Sequence, residues 1–204
     1  MSSTPGIEAA AERSEVVKDA LEMARRAHAG QLRRGSDGRP YIDHPLAVAE
    51  LLLGHGFGDE VLAAALLHDV VEKSEIEPGE IRERFGDTIA DLVDALTEDE
   101  TVAEYTARKT EHRERVARSG QDALAIFAAD KRTNVAMLRE AYALIEESVG
   151  EELGVPLDLK IFVWESDLEM LFDEYPDMPL TEELADEMVE LWGDRVRSAR
   201  YQSD

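Results

Sequence analysis

An all-α fold is predicted for this chain by three observations. Apolar residues recur every three to four positions along most of its length, and period-two alternation is rare. Glycine and proline gather at intervals that suit helix ends. The chain has 204 residues, 44% of them hydrophobic, enough for one core with an appendage.

The elements follow in order. Residues 7–29 read as one helix with Val17, Ala20, Leu21, Ala24 and Ala27/His28 on one face, stopped by Gly30. The next 16 residues, GQLRRGSDGRPYIDHP, hold three glycines and two prolines and must be loop. Pro45 suits the first turn of a helix over 45–53, which Gly54, Gly56 and Gly58 break. Asp59 then caps a helix over 60–71. Segments 78–84 and 88–96 are two short helices on either side of Gly86-Asp87, and 102–118 is a long polar-faced one. Residues 121–148 form one long helix whose apolar centre, ALAIFAA, is buried. After Gly150, Gly154 and Pro156, two more amphipathic helices are expected over 157–172 and 181–197. The expected division is a core over 1–148 and acidic C-terminal helices over 149–204 that pack on or extend the same domain.

Composition removes several function classes. There is no cysteine, which excludes disulfides, thiolate metal sites and cysteine nucleophiles and suits a reducing cytoplasm. No 18-residue apolar stretch exists, and the first residues lack the basic-then-apolar order of a signal peptide. The net charge of −24 argues against nucleic acid and anionic membranes as partners. Half of that charge lies in residues 149–204, with 4 Lys/Arg against 16 Asp/Glu. Those helices are expected mainly to cover the core; a homo-oligomer or protein-partner contact is the alternative.

Four residues do not fit a plain helical bundle. His44 stands where the loop meets a helix, His68 and Asp69 interrupt the apolar run AALLHDVVE, and Asp130 follows ALAIFAA. Burying such groups without partners costs several kcal/mol each. A divalent metal held between three helices would supply the partner, and nitrogen and oxygen donors without sulfur suit Mn²⁺ or Fe²⁺, with Zn²⁺ or Ni²⁺ also acceptable. Helical spacing adds Glu72 to the His68–Asp69 face and Asn134 to that of Asp130. Arg33, Arg34 and Arg39 in the loop, with Lys131 and Arg132 after Asp130, make a local positive potential that suits a phosphate-class substrate.

The strings HAGQLRRGSDGRPYIDHPLAVAELL, AALLHDVVEKSE and FGDTIADLVDALTEDE, in this order, resemble the hydrolase domain of the RelA/SpoT family. The likeness is closest to its small stand-alone alarmone hydrolases, and it runs from about Ala20 to Leu138. That family is a branch of the HD-domain phosphohydrolases. The resemblance implies an all-α HD-domain bundle with a single-metal site between helices, holding one Mn²⁺. It implies removal of the 3′-pyrophosphate from guanosine tetra- or pentaphosphate, giving GDP or GTP. By position, His44, His68, Asp69 and Asp130 correspond to the metal ligands, and Glu72 to the residue that positions or activates the attacking water. Asn134 shares the site, while Arg33, Arg34 and Tyr41 fall in the substrate-embracing loop; apart from the resemblance, Lys131, by its place after Asp130, and Lys73, if it reaches the pocket mouth, are expected as further substrate contacts.

Two departures concern the substrate pocket. The family's usual ED is Glu72-Lys73 here, and the segment around Asp130 reads AADKRTNVAML, with Ala136 in place of the family's arginine. Lys73, about 100° round an ideal helix from Glu72, is expected to point away from the metal; at the pocket mouth it would pair with a substrate phosphate. The alternatives are hydrolysis of another nucleotide (ppApp or NADPH), as in an antitoxin to an alarmone synthetase, and a non-catalytic nucleotide-binding HD module.

Overall fold

Each residue from Val61 to Leu67 is buried, so the helix Asp59–Leu67 (α4) is apolar on every side and can sit only at the centre of a bundle. The computed structural model describes residues 6–33, 38–145 and 154–201. Around α4 stand Glu15–Ala27 (α2) and Asp43–Gly54 (α3), with Val70–Lys73 (α5) following it directly. Pro78–Leu96 (α6) and Gln121–Ile145 (α8) complete the ring, and Ile7–Arg13 (α1) packs across α2 and α3. Tyr105–Arg118 (α7) lies against α6 and α8. The C-terminal helices Leu157–Glu174 (α9) and Pro179–Tyr201 (α10) pack on α7 and α8 respectively, and on each other. Among the described residues the only extended pairing is an isolated bridge between Leu32 and Pro40, and no helix is long and apolar enough to cross a membrane.

Three differences from the sequence reading have local causes. The helix expected over 7–29 is broken at Ser14, whose extended backbone (φ −133°, ψ 116°) lets α1 fold back. Serine competes with the helical backbone for hydrogen bonds and favours such boundaries; the Ile7 amide then donates to Glu50 Oε1 on α3 at 2.6 Å. The helix expected over 60–71 is interrupted at His68-Asp69, which form a turn between α4 and α5. The third is α7, which starts at Tyr105 and not at residue 102, because Glu104 caps it by accepting from the amides of Thr106 (3.1 Å) and Ala107 (2.5 Å). The two helices expected around Gly86 meet end to end as α6, with Gly86 at φ 82°. The boundary expected at 148/149 and the end of the helix expected to reach 148 lie outside the described residues.

The acidic C-terminal helix is held electrostatically as well as by its apolar face. Glu183 and Glu187 lie 3.5 and 3.6 Å from Arg132, and Glu187 is 3.3 Å from Arg139, both arginines on α8. Arg139 also bonds Glu190, and His55 Nε2 lies 2.9 Å from Glu183. Arg132, expected to add to the potential at the site, therefore serves the α8–α10 contact.

Two stability predictions follow from single residues. Gly86 adopts a left-handed φ with open space around its Cα, so Gly86→Ala costs only the backbone term, about 1–2 kcal/mol in urea unfolding. His112, buried with its ring edge-on to Phe127 at 5.5 Å, is pushed down to about 3 by burial and by Lys131. Below the ordinary histidine value of 6.5 the unfolded chain takes up a proton that the folded chain refuses, so stability falls as pH falls. At about 1.4 kcal/mol per pH unit, His112→Leu should lose about 2 kcal/mol less than the parent between pH 7 and pH 5, read by urea unfolding.

Candidate metal centre

The site lies at the C-terminal end of α4, where the last carbonyls have no intrahelical partner and the helix dipole is negative. His68 stands there, and its Nδ1–H donates to the Ala65 carbonyl at 2.7 Å. That bond turns Nε2 toward the site; it is buried and makes no hydrogen bond, with Asp69 and Asp130 carboxylates close by. The turn after α4 matters for the next residue. On an unbroken helix adjacent side chains diverge by about 100°, whereas here Asp69 and His68 face the same point: Asp69 Oδ2 is 3.3 Å from His68 Nε2.

His44 enters from the first turn of α3, and Asp130 from α8 just after its buried apolar stretch. His44 Nε2 is 3.0 Å from Asp130 Oδ1 and 3.6 Å from Asp69 Oδ2, and His68 Nε2 is 3.8 Å from Asp130 Oδ1. One ligand atom from each of His44, His68 and Asp130 lies within 4.8 Å of the other two. Metal–ligand bonds of roughly 2.0–2.2 Å separate adjacent donors by about 3.0–3.5 Å, so the spacing suits a single divalent ion. The inward His68 Nε2, buried without a hydrogen bond, shows that the donor set fits one.

The charges agree with this. Burial lowers the His44 imidazole, keeping it a neutral donor. Burial would lower His68 too, but Asp69 and Asp130 outweigh it and raise it to about 9, competition that a cation between the carboxylates would relieve. Asp69 is held well below the carboxylate range, against its burial, by His68 and His44, and Asp130 by Lys131 and His44.

A second layer fixes these groups. The Tyr41 hydroxyl donates to Asp69 Oδ2 at 2.7 Å, and Asn134 Nδ2 to Asp130 Oδ1 at 2.6 Å. Arg33 bonds the Asn134 amide oxygen, with its guanidinium 5.6 Å above the Tyr41 ring. Lys131 is buried with Nζ 2.8 Å from Asp130 Oδ2 and 4.3 Å from the Phe127 ring centre. Glu72 accepts the Glu98 amide at Oε1 (2.5 Å) and Lys73 Nζ at Oε2 (3.1 Å). Burial, then Asp69, raises Glu72 above the usual carboxylate range. Lys73 does not point away as expected: α5 ends at this residue and Ser74 is extended, which frees the lysine to bend back on its neighbour. Arg34 lies outside the described residues.

Beside the four groups is a cavity of about 230 Å³. Its far wall comes from α7 and α9 and holds Tyr105, Lys109, Lys160, Trp164 and Asp167, none of which the sequence reading singled out. One signal was available: Lys160 is the sole lysine after residue 148 in a strongly acidic segment. Burial, then Lys109 and Lys131, pushes its ammonium down to about 8, and it lies 4.9 Å from the Trp164 ring centre. Glu98 underlies this wall, pulled down to about 2, against its burial, by Lys109.

Residues 20–142, more than half of the chain, match the HD domain family. The chain belongs to that family. Among HD domain relatives, human "Guanosine-3′,5′-bis(diphosphate) 3′-pyrophosphohydrolase MESH1" is 37% identical over 119 residues, covering 57% of this chain and 66% of that protein. The Aquifex aeolicus protein named guanosine-3′,5′-bis(diphosphate) 3′-pyrophosphohydrolase is 31% identical over 158 residues, 74% of this chain but 22% of its own length. The "Probable GTP pyrophosphokinase" of Mycobacterium leprae is 39% identical over 127 residues, 61% of this chain and only 16% of that protein. The chain thus spans a minor part of its long relatives. A solved structure of a metazoan SpoT orthologue, described as hydrolysing ppGpp, superposes with a TM-score of 0.72 at 24% identity, over 87% of this chain and 96% of that one. That of Listeria monocytogenes lmo0812 gives 0.65 at 33% identity, over 71% and 96%. The first of these shows the shared fold, extending into the C-terminal helices.

The cavity wall rests on one ion pair. Asp167 is 1% exposed, and Arg113 Nε donates to its Oδ1 at 2.8 Å. Removing the arginine strands a buried carboxylate, so Arg113→Met should cost about 3 kcal/mol in urea unfolding. Adding Asp167→Leu should restore most of the loss; failure to do so would show that the pair is not what holds α9 on α7.

Proposed function

We propose that the chain is a metal-dependent pyrophosphohydrolase that removes the 3′-pyrophosphate from guanosine tetra- or pentaphosphate in the cytoplasm. The observation that carries this reading is the convergence of two imidazoles and two carboxylates, with His68 Nε2 making no hydrogen bond, on the edge of a lysine-lined cavity. Family membership and relatives named as ppGpp 3′-pyrophosphohydrolases support it.

In this reading His44, His68, Asp69 and Asp130 hold Mn²⁺ or another divalent ion. Such an ion lowers the pKa of a water and neutralises phosphate charge. Glu72, raised by burial, takes the proton of the attacking water. The bond from phosphorus to the 3′-oxygen breaks, pyrophosphate leaves with the water's oxygen, and the 3′-oxygen is protonated. Asn134 steadies Asp130, and Tyr41 steadies Asp69 from the substrate loop. Arg33 and Lys73 face the phosphates, joined by Lys109 and Lys160 on the far wall. Lys131 contributes from below, through its bond to Asp130.

Lys73 in place of the family's acid favours a second reading, the same chemistry on another nucleotide such as ppApp or NADPH. The test is incubation with Mn²⁺ and each of ppGpp, ppApp and NADPH, following pyrophosphate and phosphate release. Pyrophosphate from ppGpp is expected, and Asp69→Ala should reduce it by at least about 100-fold while lowering metal content measured by elemental analysis. Activity confined to another nucleotide would replace the substrate, and binding without turnover under any divalent metal would overturn both readings.

A further inference from the structure

Lys73 and Glu72 are neighbours in sequence, yet they form an ion pair across the cavity rim. Adjacent residues on a helix do not face each other. This pair forms because α5 is a single turn that ends at Lys73, with Ser74 extended. The lysine backbone is anchored from both sides: its amide donates to the Asp69 carbonyl at 3.0 Å, and Gln31 Nε2 donates to its carbonyl at 2.6 Å. Gln31 is held in turn. Its Nε2 also donates to the Ala27 carbonyl at 3.0 Å, so its Oε1 accepts from His28 Nδ1 at 2.9 Å. Only the outer part of the lysine is free to move, and it is 37% exposed at the cavity mouth, whereas Glu72 is 10% exposed.

Both oxygens of Glu72 are thereby occupied. Oε1 holds the Glu98 amide, a backbone group that cannot leave without moving the chain. Oε2 holds Lys73 Nζ, the end of a flexible side chain. Each oxygen keeps a second lone pair, so a water can still bond, but the ammonium on Oε2 lowers that oxygen's affinity for the water's proton. Two other lysines of the cavity have carboxylates of their own: Lys109 on the far wall bonds Glu98, and Lys131 bonds Asp130. Lys73 is the cation of these three whose transfer to a phosphate would release the carboxylate that handles the water.

We propose that Lys73 is an exchangeable clamp on Glu72: a positioning residue that pins Oε2 until a phosphate oxygen of the substrate takes the ammonium and frees Oε2 to take the water's proton. This rests on the reading of Glu72 as the group that handles the water. It explains how a lysine at this position is compatible with an acid–base role for its neighbour, since the lysine leaves when substrate is in place. The clamp also ties the release of Glu72 to a polyanionic ligand, whatever base or sugar that ligand carries.

The test is binding, not turnover. Inorganic pyrophosphate is titrated calorimetrically into the metal-loaded protein and its variants. Glu72→Gln keeps an acceptor for the Glu98 amide but gives up the ion pair, so Lys73 is free before the anion arrives. Pyrophosphate should then bind about tenfold more tightly than to the parent, the value of one charge-assisted contact. In the Lys73→Met background the same change should matter by less than about twofold, and in the Lys73→Arg background the gain should return. Equal tightening in the parent and Lys73→Met backgrounds would mean that Glu72 acts only as a negative charge near the anion, and would overturn the clamp. So would a parent that does not bind pyrophosphate. Wild-type turnover of ppGpp is read separately: coupling without ppGpp hydrolysis would refute the substrate assignment and leave the clamp standing.

Discussion

The molecule is organised around the desolvation of two imidazoles and two carboxylates at the end of its most buried helix. None of the four would be tolerated there alone, because an unpaired buried charge costs several kcal/mol. Together they compensate one another at 3.0–3.8 Å, and in the proposed reading a divalent cation would complete the balance. The surrounding groups are there to keep them in place. The Ala65 carbonyl orients the His68 ring, Tyr41 and Asn134 hold the two carboxylates, and Lys131 sits beneath Asp130. Each of those supports is in turn placed by a different helix or loop, so the site depends on the whole bundle being assembled.

The acidic C-terminal segment is part of this architecture and not a tail beside it. Its last helix carries Glu183, Glu187 and Glu190 on one face, and these meet Arg132 and Arg139 of α8, the helix that also presents Asp130. Its penultimate helix closes the cavity with Lys160, Trp164 and Asp167. The excess of negative charge over residues 149–204 thus conceals two local roles: complementing arginines on the core, and placing the lone lysine of the segment in the cavity wall.

The cavity pairs three of its lysines with carboxylates while leaving both signs close to His44, His68, Asp69 and Asp130. Glu98 takes Lys109, Asp130 takes Lys131 and Glu72 takes Lys73. Such paired charges hold one another's positions in a strongly acidic protein and keep several ammonium groups in place around the cavity. This arrangement favours preorganisation over net positive charge, consistent with the proposal that the site keeps two carboxylates ionised for a metal.

The residues and their order determined much of this. The apolar periodicity specified the bundle, and the awkward polar positions His44, His68, Asp69 and Asp130 identified themselves because polar groups in apolar runs need partners. Glu72 and Asn134 were legible through spacing alone. Local geometry was less so. The turn at His68-Asp69 and the break at Ser14 replace stretches that read as continuous helix, since a one-residue change in backbone state leaves the hydrophobic pattern intact. Lys73 read as pointing outward because an ideal helix was assumed, while the chain ends the helix at that residue. The far wall of the cavity was beyond reach for a different reason. Lys109, Lys160, Trp164 and Asp167 lie on amphipathic helices whose own periodicity says only which face is buried. What that face is buried against is set by long-range packing of α9 on α7, and only the tertiary structure decides it.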